Sequence, residues 1–421
     1  MKVFILFLLI SLALAVPLDS LDQIPLAQAG TNDGYSLDLN APRLIQLDPE
    51  SAPEWVTESH KIQLKAFGHK FFDITDNQDL GISVQSPTRV KRLFIPPLFI
   101  NRQTRATDHF PSIASFPSPN ATEKVVAIFK NLSTDGPKKN LRKFTNFRTR
   151  YYRSDTGKAS QKWLLSRISE VIIYVPITRE TAAESLQTLI TLREFEHSWG
   201  QNSIIVRIEG SSVTDNGVVV IGAHQDSTNL WPFLPAPGAD GKFQHDGSGS
   251  VTILEAYRAL LVADFRPSRT VEFHWYSAEE GGLLGSQAVA QAYASESVNV
   301  IAMSQFDMTA WVKRGTREEA GIIVDFVDQG LTKFNMELVD MYLDIPYVKT
   351  QCGYACSDHA SWGKAGYPST FTIESAFENS NKNIHSVNDR IDISDEFSFD
   401  HMLEFSKLAV AFAVELGGSS D

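Results

Sequence analysis

A chain of 421 residues, 43% hydrophobic and 21% charged, has the composition of a folded globular protein. It is long enough for one large domain with extra segments, or for two to three ordinary ones. A formal charge of -12 argues against nucleic acid or an anionic membrane surface as partner, because both are bound through clustered Lys and Arg.

The chain opens on Met1-Lys2, an apolar run from Val3 to Leu12, and the small-residue pattern Ala13-Leu14-Ala15. Charge, apolar core and cleavage pattern in that order predict a secretory signal peptide over residues 1–15 and an extracellular destination. No later stretch approaches the ~20 apolar residues of a membrane span, so no membrane anchor is expected. Residues 16–105 are expected to be a propeptide. Lys91-Arg92 is a dibasic processing site, and Arg102 and Arg105 are single basic alternatives. The competing reading of this stretch is an N-terminal extension packed on the main domain. Asn120-Ala121-Thr122 and Asn131-Leu132-Ser133 are glycosylation acceptors compatible with export.

From residue 106 to 421 the chain reads as one domain. Apolar residues recur at three and four over Thr122 to Leu132, Leu141 to Tyr151, Ala159 to Glu170, Ser248 to Val262, Leu283 to Ala294, Gly330 to Leu343 and Phe397 to Leu416, which predicts helices. Between them lie short β-branched runs: Val171 to Ile177, Ile204 to Ile208, Val218 to Gly222, Val271 to Tyr276, Val298 to Phe306, Ile322 to Phe326 and Phe371 to Ile373. Strands without in/out alternation, interleaved with helices, predict an α/β fold: a mostly parallel, twisted sheet with helices on both faces. Ligands in such a fold sit beyond the carboxyl ends of the strands.

Four of these strand ends carry metal-type side chains. Val218 to Gly222 runs into His224 and Asp226; Val271 to Tyr276 runs into Glu279-Glu280; Val298 to Phe306 runs into Asp307; and a loop after Phe371-Thr372-Ile373 reaches His385. Each is weak alone, yet converging strand ends would make a mixed imidazole and carboxylate cluster able to hold zinc with positions open for water and substrate. Two adjacent carboxylates after a strand diverge, so one can bind metal while the other faces a reacting water. In an exported chain Cys352 and Cys356, which bracket Gly353-Tyr354-Ala355, are expected to close a small disulfide loop.

These motifs carry a family resemblance. Gly222-Ala223-His224-Gln225-Asp226-Ser227, Ala236-Pro237-Gly238-Ala239-Asp240, Asp246-Gly247-Ser248-Gly249, Ser277-Ala278-Glu279-Glu280-Gly281, Phe306-Asp307-Met308 and Cys352-Gly353-Tyr354-Ala355-Cys356-Ser357-Asp358-His359 resemble the secreted di-zinc leucyl aminopeptidases of bacteria and fungi. The match runs from about residue 140 to the end and includes Arg150-Tyr151-Tyr152 and His197-Ser198-Trp199-Gly200-Gln201. It implies a hydrolase-like exopeptidase fold holding two zinc ions, His224 and Asp307 on one, Glu280 and His385 on the other. It further implies Glu279 as general base and Asp226 as the carboxylate orienting His224. Tyr354 would meet the substrate or the developing oxyanion. Met308 and Phe377 are candidates for the pocket that takes the first side chain, with plain core packing as the alternative. The expected partner is a peptide, cleaved by a monomer after an N-terminal, preferably Leu-like residue.

One departure falls where the family reads Gly-Ala-Asp-Asp-Asp-Gly-Ser-Gly, whose middle Asp bridges the two metals. Here the run from Gly238 to Gly249 is longer, and counting back from Gly247-Ser248-Gly249 puts His245 in the bridging slot. A neutral imidazole has one free lone pair and cannot bridge as a carboxylate does. Asp246 is therefore assigned the bridge. The alternatives are that Asp240 swings in, that one metal is held firmly and the other weakly, or that the insertion reflects an error in the coding sequence. The rival functions are a catalytically impaired metal-binding relative, a carboxypeptidase and a glutaminyl cyclase.

Overall fold

A computed structural model describes residues 37–47, 51–80, 115–174, 189–231, 247–386 and 388–418. Among these, eight strands form one sheet in the order β10-β9-β11-β8-β6-β7-β5-β4. Its members are β4 (Ile190–Phe195), β5 (Ser203–Ile208), β6 (Val218–His224), β7 (Thr270–Tyr276), β8 (Val300–Phe306), β9 (Ala320–Ile323), β10 (Tyr347–Thr350) and β11 (Ser369–Ile373). The central run β11, β8, β6, β7 is parallel, as is β9 with β10, while β4, β5 and the β9–β11 junction pair antiparallel. The sheet is thus mixed and mostly parallel, as its sequence pattern predicts.

Burial on both faces explains why these strands read as continuous apolar runs. Every residue of β6 and of β7 is buried. Val219, Ile221 and Ala223 of β6 point to the larger core, built with α2 (Thr122–Phe129), α3 (Asp135–Phe144), α4 (Asp155–Tyr174), α5 (Gly247–Val262), α7 (Gln329–Tyr342) and α9 (Phe399–Gly417). Val218 and Val220 point the other way, to Val289 and Tyr293 of α6 (Leu284–Ser295) and Trp362 of α8 (His359–Lys364).

The structure corrects two segments. Val171 to Tyr174 continues α4 instead of starting a strand. Leu164, Ile168 and Val171 keep one apolar helical stripe facing the core, and that packing outweighs the strand preference of Val and Ile. The helix expected over Leu141 to Tyr151 lies earlier, at α3, and stops at Phe144, after which Tyr151 and Tyr152 are buried as loop residues. The short elements β4, β10 and α8 had no counterpart in the sequence reading.

Residues 37–47 and 51–80, within the stretch expected to be a propeptide, build a small unit of their own. β1 (Pro42–Gln46) pairs antiparallel with β2 (Glu54–Thr57) and β3 (Phe72–Asp73), and α1 (Glu58–Ala66) follows β2. The Thr57 hydroxyl caps α1 by accepting from the His60 N–H at 3.1 Å. Among the described residues no helix is long and apolar enough to cross a membrane.

Candidate metal centre

Strand order decides where the side chains meet. β6 lies between β7 and β8 and parallel to both, so the chain leaves it on one side and returns on the other. Such a reversal opens a crevice at the carboxyl ends of the strands. His224 ends β6, and its carbonyl accepts from the Ser250 hydroxyl at 2.6 Å. Beyond β7, Ser277 is fixed on three sides: its N–H donates to Ser203 Oγ at 3.0 Å, its hydroxyl donates to Gln201 Oε1 at 2.8 Å, and its oxygen accepts from Trp199 Nε1 at 3.0 Å. Ala278 then takes a left-handed conformation, φ 58°.

That turn aims two consecutive N–H groups at one acceptor. Glu279 and Glu280 each donate a backbone hydrogen bond of 3.1 Å to the fully buried Asp226 carboxylate. The same carboxylate lies 3.3 Å from His224 Nδ1. Asp226 thus anchors the paired glutamates and stands beside the imidazole that the resemblance pairs it with. The side chains of those glutamates diverge: Glu280 meets His385 Nε2 at 3.0 Å, and the half-buried Glu279 lines the cavity.

Across the crevice His224 Nε2 lies 3.6 Å from Asp307 Oδ1, and Asp307 Oδ2 accepts from the Ser357 hydroxyl at 2.8 Å. Gln305 donates to Ser357 Oγ at 3.2 Å and to Asp358 Oδ2 at 3.1 Å. Nothing in the sequence assigns a role to Ser357, Asp358 or Gln305, although the first two lie within the motif from Cys352 to His359. Five acidic side chains, Asp226, Glu279, Glu280, Asp307 and Asp358, are gathered here in a space mostly shielded from water. Burial raises the Glu279 carboxyl well above the carboxylate range; His224 pulls it back, and Glu280, Asp358 and Asp307 push it further up. Burial likewise lifts Asp358 to about 7, against the pull of His224 and with help from Asp226 and Asp307. The His385 imidazole goes down, burial outweighing its Glu280 partner, which favours the neutral ring that ligates metals.

A cavity of about 210 Å³ opens over these groups. One wall is apolar: Met308, Phe377 and both cysteines pack on Ile323, Val327, Phe371 and Ile373. Met308 and Phe377 thus both line the cavity and pack on a core cluster. Cys352 and Cys356 are bonded, and the loop that they close presents Tyr354, whose ring lies 6.4 Å from that of Phe377. Burial raises the Tyr354 hydroxyl, and Glu279, Asp307 and Glu280 add to it. On the far surface Asn120 is exposed, while Asn131 is half-buried with its carbonyl accepting from Arg258.

Of the residues expected as ligands, those described form two pairs, His224 with Asp307 and Glu280 with His385. Asp240, His245 and Asp246 lie outside the described residues. Among the described residues no three or more His, Cys, Asp or Glu side chains are arranged to hold an ion. The donor chemistry of the pairs nevertheless suits zinc: each joins an imidazole to a carboxylate, in a cup whose acidic charge calls for cations.

The family model for peptidase family M28 matches residues 203–410. A leucine aminopeptidase 1 of Colletotrichum graminicola is 47% identical over 384 residues, covering 89% of this chain and 85% of its own length. One from Trichoderma harzianum is 45% identical over 395 residues, covering 91% and 89%. Among solved structures, the LapA aminopeptidase of Legionella pneumophila superposes with a TM-score of 0.69 at 28% identity, over 90% of this chain and 95% of its own. With a sheet, a strand-end cup and relatives of this extent in agreement, the chain belongs to peptidase family M28 and is a peptidase of that family.

Proposed function

We propose that the chain is an exported, monomeric aminopeptidase that uses two zinc ions and Glu279 to release N-terminal, preferably Leu-like residues from peptides. The observation that carries this reading is the Asp226 anchor, which sets Glu280 against His385 in one His–carboxylate pair and turns Glu279 into the cavity that the other pair lines. His224 and Asp307 would hold one zinc and Glu280 and His385 the other, with Asp246 assigned the bridge. Bound there, zinc supplies Lewis acidity toward a carbonyl and a water of lowered pKa. Glu279, which lines the cavity, would take a proton from water and return it to the leaving amine. Tyr354, which lines the cavity, would donate to the oxyanion, and the wall of Met308 and Phe377 suits an apolar first side chain. Acidic groups at the cup favour a free α-ammonium, which supports cleavage from the amino end. Export rests on the pattern of residues 1–15.

A chromogenic leucine amide assay with added zinc tests the activity, and amino-acid analysis of a digested peptide tests its direction. Zinc-dependent release of the first residue is expected. Release from the carboxyl end, cyclisation without release, or no turnover from zinc-loaded protein would refute it.

A further inference from the structure

The cup receives a cation from the chain itself. Lys65, in the last turn of α1, places its ammonium on the Glu280 carboxylate and 2.5 Å from the Glu280 carbonyl oxygen. The Glu280 oxygen that it meets is the one His385 Nε2 meets at 3.0 Å. Lys70 follows into the same cavity, 5.5 Å from the centre of the Tyr354 ring. Lysines on protein surfaces pair loosely and contribute little. This one is held: its side chain is 16% exposed and that of Glu280 only 2%.

The unit that delivers Lys65 is fastened to the loop bearing the glutamates. Asp73 N–H donates to the Gly282 carbonyl at 3.1 Å. Gln287 clamps the junction, donating to the carbonyls of Asp73 at 3.0 Å and Gly282 at 2.9 Å. Lys61, paired with Asp73 at 2.8 Å and Glu58 at 3.1 Å, also donates to the Gly281 carbonyl at 3.3 Å. Gly282 has φ 103°, and a Cβ there would stand 2.8 Å from the Asp73 nitrogen, so the fit depends on its being glycine.

We propose that Lys65 takes the seat of a metal cation at the Glu280–His385 pair, so that docking of residues 51–80 and occupancy of that pair by zinc exclude one another. The inference rests on the reading of Glu280 and His385 as ligands. An ammonium on the oxygen that faces His385 offers no lone pair and puts a positive charge where the ion would bind, so the two cations repel. The N-terminal unit is then a tethered competitor for one metal, leaving the His224–Asp307 pair to fill first.

Zinc titration of the full chain against a chromogenic chelator tests this, using wild type, Lys65→Met and Lys65→Arg. The wild type and Lys65→Arg should bind one ion well and a second about tenfold or more weakly, and Lys65→Met should recover the second affinity, a change of the size that neighbours of metal ligands commonly produce. Equal affinities at both sites in wild type and Lys65→Met would overturn the proposal and leave the metal reading standing. No zinc bound by any form would overturn both. Hydrogen exchange on the wild type gives a readout free of substitutions: protection of α1 should fall as zinc saturates, and unchanged protection at two bound zinc ions would overturn the proposal.

Discussion

Asp226→Asn is the most informative perturbation of the cup. The carboxylate is fully buried and serves three groups: the Glu279 N–H at 3.1 Å on one oxygen, the Glu280 N–H at 3.1 Å on the other, and His224 Nδ1 at 3.3 Å on the first. An amide of the same shape has one oxygen and one NH2. Whichever way it turns, a backbone donor faces a donor. Loss of a hydrogen bond to a charged acceptor costs about 1.5–3 kcal/mol. If most of that reaches the metal through a misaligned His224, zinc affinity falls about 10- to 100-fold, the range seen when partners of metal-bound imidazoles are removed. At saturating zinc, kcat should stay about tenfold low, because Glu279 has lost its backbone anchor. Chelator competition measures the first effect and leucine-amide kinetics the second. Unchanged zinc affinity together with unchanged kcat would show that Asp226 is a passive buried acid.

Glu279→Gln should lower kcat by about 10²- to 10⁴-fold with zinc content unchanged, which metal analysis alongside kinetics would check. His385→Ala should reduce the zinc bound per chain at limiting zinc, and full occupancy would remove His385 from the ligand set. A buried network on β7 sets an acid limit on stability. Burial alone would raise the Glu272 carboxyl, but His274, Tyr293 and Arg207 hold it at about 2 against an ordinary 4.5. The contribution, about 3 kcal/mol, is full above pH 4.5 and disappears as pH falls toward 2, so Glu272→Gln should flatten the change of urea midpoint across that window. Gly282→Ala should loosen residues 51–80 by about 1–2 kcal/mol or more, seen as faster amide exchange in α1 and β3 with the main sheet unaffected.

Much of the cup was legible because its parts follow recognisable strands. Val218 to Val220 and Val271 to Tyr276 are buried on both faces, so their apolar runs announce the strands, and the first polar residues beyond them are the ones that converge. The misread segment, Val171 to Tyr174, shows the reverse: local β-branched content says strand, and only contacts with the core make it helix. Lys65 could not be read at all, since its partner lies 215 residues away and nothing near it in sequence hints at a carboxylate. Ser357 escaped because a serine beside a cysteine looks like any polar loop residue until Asp307 is seen to accept its proton.

The hexapeptide from Ser277 to Gly282 answers to two masters. Its inner side sets the chemistry, and its outer side, through the bare backbone of Gly281 and Gly282, is the landing ground for a separate piece of the same chain. A Cβ at position 282 would meet Asp73 and disturb the landing, and any slackening on the inner side misplaces the two carboxylates. A variant that dispensed with its N-terminal unit would be released from the steric half of this obligation at position 282, while the φ of 103° would still hold the position to glycine.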